Sequence, residues 1–173
     1  VERAFTGTVH DPYVFGDDWC TIYNGIDIDG YRDTVDAADG TSVRKTLNIE
    51  ESTLLFLNVG RYVSDKSQDM LIKAISESNL SDVALVTVGH GPLEGELNRT
   101  AEQCGIADRV FITGRVPEVE PYYAAADVFV SSSRVEGLPV TLLEAMASRC
   151  PVIASDIPGV REVVSEGETG QLY

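Results

Sequence analysis

Short, mainly apolar runs punctuate the chain at Thr21-Ile22-Tyr23, Leu54 to Val59, Ala84 to Val88, Val110 to Ile112, Val128 to Val130 and Val152 to Ala154. Each has the length of a strand buried on both faces. Helical patterns fall between them, at roughly Thr41 to Leu47, Ser67 to Glu77, Leu93 to Cys104, Val119 to Ala125 and Thr141 to Ser148, with a short turn at Val160 to Val164. Strand alternating with helix demands parallel crossovers, and all-apolar strands demand helices on both faces. The expected fold class is therefore α/β, a doubly wound parallel sheet. With 173 residues, 43% of them hydrophobic, the chain can bury one sizeable core. Residues 1–20 read as an irregular lead-in and 21–173 as the domain, with the acidic, small-residue stretch Asp33 to Gly40 expected as a surface loop.

The charge balance narrows the partners. Asp plus Glu number 28 against 13 Lys plus Arg, a formal charge of -15. Nucleic acid is excluded as an ordinary electrostatic partner, because phosphate binding needs a basic stripe, and anionic membranes are disfavoured for the same reason. A solvated acidic surface is the plain reading, and a salt-rich cytoplasm is a hypothesis within it. Cys20, Cys104 and Cys150 are far apart and odd in number, with no histidine at ligand spacing, so neither a disulfide framework nor a metal site is expected. The absence of a long apolar run or a signal-like start points to a cytoplasmic protein.

In a doubly wound sheet the ligand lies beyond the carboxyl ends of the strands. Those positions hold Gly60-Arg61 with Lys66 close behind, Gly89-His90-Gly91-Pro92, Gly114-Arg115-Val116, and Ser131 to Pro139 running into a helix that carries Glu144. Arg61 and Lys66, beside a positive helix terminus, suit a diphosphate. The alternative is a pair of surface charges, one of them holding Asp65 or Asp69. Glu136 in the loop and Glu144 in the helix are too far apart to be neighbours on one face, yet could accept hydrogen bonds from hydroxyls at two ends of an extended ligand. Solvated or helix-dipole acids are the competing reading. The N–H groups of Leu138, Val140 and Thr141 offer an anion site around Pro139, which has none.

Gly89-x-Gly91 is a weak nucleotide fingerprint, since the next glycine, Gly95, falls one residue late. Asp27-x-Asp29 lacks a completing ligand set, with Ala38 where a calcium loop needs glutamate, and reads as a turn. His10 and His90 have no nucleophile and acid in support, so no triad is expected.

Five segments in order resemble the carboxy-terminal half of the retaining glycosyltransferases of family four: Ile22-Tyr23-Asn24-Gly25-Ile26-Asp27, VGRYVSDKSQDMLIKA, VGHGPLEGEL, FITGRVPEVEPYYAAADVFVSSS and EGLPVTLLEAMASRCPVIASDIPGVREVV. The last contains the E-x7-E element as Glu136 and Glu144. The resemblance covers about residues 21–173 and implies one Rossmann-like half of a GT-B fold. It implies that Arg61 and Lys66 bind the donor diphosphate and stabilise it as a leaving group. Glu136 would contact hydroxyls of the transferred sugar, Glu144 the ribose diol, and the Leu138, Pro139, Val140 and Thr141 segment the sugar and phosphate. Gly114, Arg115 and Val116 would meet the base, with Gly60 and the Gly89 to Gly91 loop nearby.

The implied reaction moves a hexose from a nucleotide diphosphate sugar of UDP, GDP or ADP type to an acceptor hydroxyl, with retention and without a bound metal. Ser67, His90 and Ser148-Arg149-Cys150 depart from the family pattern, the first where glycine is usual. The length leaves no room for the amino-terminal acceptor domain, so an isolated donor-binding domain, inactive alone, is expected. A noncatalytic nucleotide-binding or interaction module stands as the alternative. An NAD-dependent oxidoreductase domain is a further one, though the acid expected after the next strand is missing.

Overall fold

The computed structural model describes residues 25–78 and 80–173. The expected strand at Thr21-Ile22-Tyr23, the lead-in and Cys20 lie outside the described residues. In chain order the elements are helices α1 (Ile28–Ala37) and α2 (Gly40–Thr46), strand β1 (Leu54–Val59), a 3-10 turn (Ser64–Lys66), α3 (Gln68–Glu77), β2 (Val83–Val88), α4 (Glu94–Gln103), β3 (Val110–Ile112), α5 (Glu120–Ala125), β4 (Val128–Ser131), α6 (Val140–Ala147), β5 (Val152–Ala154), α7 (Pro158–Arg161) and β6 (Gln171–Leu172).

The sheet is six-stranded, ordered β3-β2-β1-β4-β5-β6. Every pairing is parallel, with Leu57 opposite Val86 on one side of β1 and Phe129 on the other. The doubly wound expectation holds. Alternate residues of each strand feed opposite faces: Leu55, Leu57, Val86, Phe129 and Val152 join the core that also takes Val35, Val43, Tyr123, Leu142 and Val160. Leu85, Val110 and Val130 join Leu71, Ile72, Leu97 and Tyr62 on the other face. Leu57, Leu85 and Phe129 have no exposed surface, and each such side chain contributes about 1.5–3 kcal/mol.

Three expectations need correction. Asp33 to Gly40 is not a surface loop, because its first half belongs to α1. The Asp27 carboxylate accepts from Gly30 N–H at 3.1 Å and so caps that helix, making Asp27-x-Asp29 a helix start. Tyr31 and Val35, one turn apart, supply its inner face. The short turn placed at Val160 to Val164 starts earlier, at Pro158, whose fixed φ suits a first helical turn.

The connection before the sheet is anchored by Arg44, 7% exposed. Its guanidinium donates to the carbonyls of Ala125 (3.1 Å), Glu50 (3.1 Å) and Thr53 (2.9 Å), and to Asp127 Oδ2 at 2.7 Å. The same carboxylate oxygen accepts the N–H of Leu55 at 2.7 Å, so one ion pair ties α2 to the starts of β1 and β4.

Candidate functional site

The chain leaves β1 toward β2 and β3, then returns across it to β4. Their carboxyl ends therefore flank the topological switch point, where a crevice opens in folds of this class. Gly60 and Arg61 follow β1, and Ser132 to Leu138 follow β4. The Ser132 hydroxyl lies 2.7 Å from the Lys66 carbonyl and 3.0 Å from that of Ser67. Arg134 N–H donates to the Asp65 carbonyl at 2.8 Å.

Within this frame the Lys66 ammonium pairs with Glu136 Oε1, which also accepts from the Ser133 hydroxyl at 2.7 Å. The side chains are 24% and 11% exposed. Two residues singled out from separate motifs thus meet at the switch point. Lys66 does not hold Asp65 or Asp69; Asp69 takes Lys73 instead, at 2.7 Å. Arg61 is exposed and makes no ion pair with a described residue. Its carbonyl accepts from Gln68 Nε2 at 3.0 Å, which fixes the loop without using the guanidinium.

Gly89 and Gly91, which follow β2, have a packing role that the fingerprint reading missed. A Cβ on Gly89 would stand 1.9 Å from the Gly60 carbonyl oxygen, and one on Gly91 would stand 2.4 Å from that of Tyr62. Backbone bonds stitch the strand ends: Gly60 N–H to Val88 O, Tyr62 N–H to His90 O and Gly89 N–H to Gly114 O, at 2.9–3.0 Å. Tyr62, fully buried, donates its hydroxyl to Thr87 O at 2.9 Å. It is the keystone of this edge, and its only sequence signal was an aromatic following Gly60-Arg61. Arg115 is exposed, and Val116 lines an open cleft of about 300 Å³ with Val43, Leu47, Pro121 and Tyr122.

Pro139 occupies the N-cap of α6 rather than its first turn, and no side chain caps this end. The first N–H groups, Val140 and Thr141, have no acceptor within the helix. Leu138 and Thr141 are half-buried and Val140 is exposed. Gly159, which sequence reasoning passed over, explains the loop's path: a Cβ there would lie 2.2 Å from the Glu136 carbonyl oxygen and 2.4 Å from that of Gly137.

Glu144 reaches a residue of α5 and makes no hydrogen bond to Lys66 or Glu136. Its Oε2 accepts from the Tyr123 hydroxyl at 3.0 Å. Burial raises the Glu144 carboxyl above its ordinary value, with a smaller contribution from Glu120, while the Tyr123 bond opposes the rise. Tyr31 and Tyr123 are raised by burial as well, and the Glu144 charge adds to both. Among the described residues, no cluster of three His, Cys, Asp or Glu side chains could hold a metal ion.

The sequence pattern of the family described as Glycosyl transferases group 1 matches residues 39–173. The chain belongs to this family. It is 37% identical over 158 residues to the GDP-mannose-dependent alpha-(1-6)-phosphatidylinositol monomannoside mannosyltransferase of Mycobacterium tuberculosis, covering 84% of this chain and 40% of that protein. It is 33% identical to the alpha-monoglucosyldiacylglycerol synthase of Streptococcus pneumoniae, covering 76% of this chain and 31% of that one. The crystal structure of Anabaena HepE in complex with UDP and glucose superposes with a TM-score of 0.76 at 25% identity, over 87% of this chain and 41% of that one. The group 1 chain thus spans well under half the length of these relatives, and its sheet matches one Rossmann-like half of a GT-B fold.

Proposed function

We propose that this group 1 chain is the donor-binding domain of a retaining glycosyltransferase, moving a hexose from a nucleotide diphosphate sugar to an acceptor hydroxyl. The meeting of Lys66 and Glu136 at the switch point carries the reading. A cation and a carboxylate of opposite purpose share one partly buried pair. A donor would divide it: the diphosphate takes Lys66 and Arg61, and the released Glu136 accepts hydrogen bonds from the sugar. The N–H groups of Leu138, Val140 and Thr141 face the same ligand, Arg115 and Val116 the base, and Glu144 the ribose. The GDP-mannose dependence of one relative and the UDP held by HepE support a nucleotide diphosphate donor. As the bond to the anomeric carbon breaks, negative charge grows on the departing phosphate, and the Arg61 and Lys66 cations oppose it.

The acceptor belongs to an amino-terminal domain beyond residues 21–173, with residues 1–20 leading in from it. Transfer requires both domains. The protein acts in a cytoplasm, and the -15 charge suits a salt-rich one. Half a site binds its nucleotide weakly, with a Kd of about 1 mM, or about -4 kcal/mol.

Calorimetric titration of Arg61→Ala and Lys66→Ala with UDP and GDP, and with uridine and guanosine, tests the roles. The diphosphates lose about tenfold or more in affinity and the nucleosides little. Equal losses for both ligand types contradict the assignment.

A further inference from the structure

We propose that Tyr123 is the positioning residue for Glu144, its hydroxyl fixing the carboxylate so that the free oxygen meets a ribose diol. The inference rests on the ribose role given to Glu144 above. Glutamate has three rotatable bonds and cannot hold a diol unaided; Tyr123 has a ring that the core immobilises. That ring is 2% exposed, stacked on Phe129 with centroids 5.7 Å apart and edge-on to Tyr31 at 6.2 Å. Its hydroxyl therefore has a fixed address, 3.0 Å from Glu144 Oε2 and 3.1 Å from the Thr141 carbonyl.

One proton serves two acceptors. With Glu144 ionised the Tyr123 proton points to Oε2, leaving Oε1 for the ligand. With Glu144 protonated, the carboxyl donates to the tyrosine oxygen and the tyrosine proton turns to Thr141. The groups facing Glu144 are Tyr123 and Glu120 from α5 and Tyr31 from α1, none of them a cation. The hydroxyl of Tyr123 is thus the described group that favours the ionised form, in a surrounding that otherwise opposes it. The Tyr31 hydroxyl is buried and without a hydrogen-bond partner among the described residues, which makes it an internal control.

The test measures the affinity of the parent chain, Tyr123→Phe, Tyr31→Phe and Glu144→Gln for UDP, GDP and their 2′,3′-dideoxy counterparts, from pH 5 to 8. Tyr123→Phe keeps the ring packing and removes one oxygen. It is expected to weaken the ribonucleotide that binds by about fivefold and to leave the dideoxy form unchanged. The pH below which affinity falls should move upward, because the lost bond had lowered the Glu144 carboxyl. Tyr31→Phe should match the parent. The variant carrying both Tyr123→Phe and Glu144→Gln should be no weaker than Glu144→Gln. If Glu144→Gln discriminates ribose from dideoxyribose while Tyr123→Phe matches the parent in affinity and pH profile, positioning by Tyr123 is overturned and the ribose role stands. If the parent binds no nucleotide, or Glu144→Gln weakens both forms equally, the ribose role falls and the proposal with it.

Discussion

Arg149 and Ser67 hold left-handed backbone, with φ of +59° and +49°. For an L-residue with a Cβ this conformation costs about 1–2 kcal/mol. Ser67 stands where the resemblance leads one to expect glycine, and Arg149 lies within a second departure, Ser148-Arg149-Cys150, so in both turns the left-handed backbone is kept and strain is accepted. Ser67 is buried and its carbonyl neighbours the Ser132 hydroxyl, whereas Arg149 is exposed and its ion pair with Asp36, at 3.1 Å, lies in solvent. Such a pair contributes little. Arg149→Gly should therefore raise the unfolding free energy by about 1 kcal/mol in urea titration, and Arg149→Ala should not. Glu144 presents the opposite trade. Its carboxyl is raised in the folded chain, so the folded state binds more protons than the unfolded one just above the ordinary carboxylate range, and stability falls as pH rises through that window. Glu144→Gln should remove this dependence and be more stable than the parent at pH 7 in thermal melts.

Several contacts that shape the site run to backbone carbonyls far away in sequence, which is why part of it was legible and part was not. The apolar runs of β1, β2 and β4, the Lys66 and Glu136 positions and the start of α6 could be read from residue type and spacing. Helix α1 could not, because Asp29, Gly30, Asp33 and Asp36 mask the single face made by Tyr31 and Val35. Strand β6 is two residues long and carries no periodicity. The meanings of Gly89, Gly91 and Gly159 depend on which carbonyl lies opposite, and nothing local to those residues encodes it. Gly159→Ala would force its Cβ to within 2.2 Å of the Glu136 carbonyl oxygen. It should cost about 1–3 kcal/mol of stability in urea titration, because the loop carrying Glu136 must shift to admit the methyl group. Arg44 is another long-range tie, and Arg44→Met removes the charged partner of Asp127, which keeps only the Leu55 N–H, and one donor from each of three carbonyls. A loss of about 2–4 kcal/mol in chemical denaturation is expected, with the half-exposed Asp127 keeping the figure below that of a fully buried pair.

The molecule as a whole is a parallel sheet covered on both faces, in a chain with 28 acidic residues against 13 Lys plus Arg. Lys66 and Arg61 stand at a switch point in a chain of net charge -15, and Lys66 is already paired with Glu136, so on the proposed reading a diphosphate has to bind against the charge of the molecule as a whole. If the acidic surface is an adaptation to salt, the folded chain melts as salt falls below molar concentration; indifference of the melting temperature to salt contradicts that part of the account. The family was legible in the sequence because five motifs occur in order, while the sugar, base and acceptor are not encoded in any one of them. The central claim is a nucleotide diphosphate at the switch point. Ligand-observed NMR of the chain with UDP, GDP, ADP and NAD, at low and at molar salt, tests it most directly. The account predicts saturable binding of at least one diphosphate that disappears in Arg61→Ala; binding of NAD alone, or a diphosphate signal unchanged in Arg61→Ala, would contradict it.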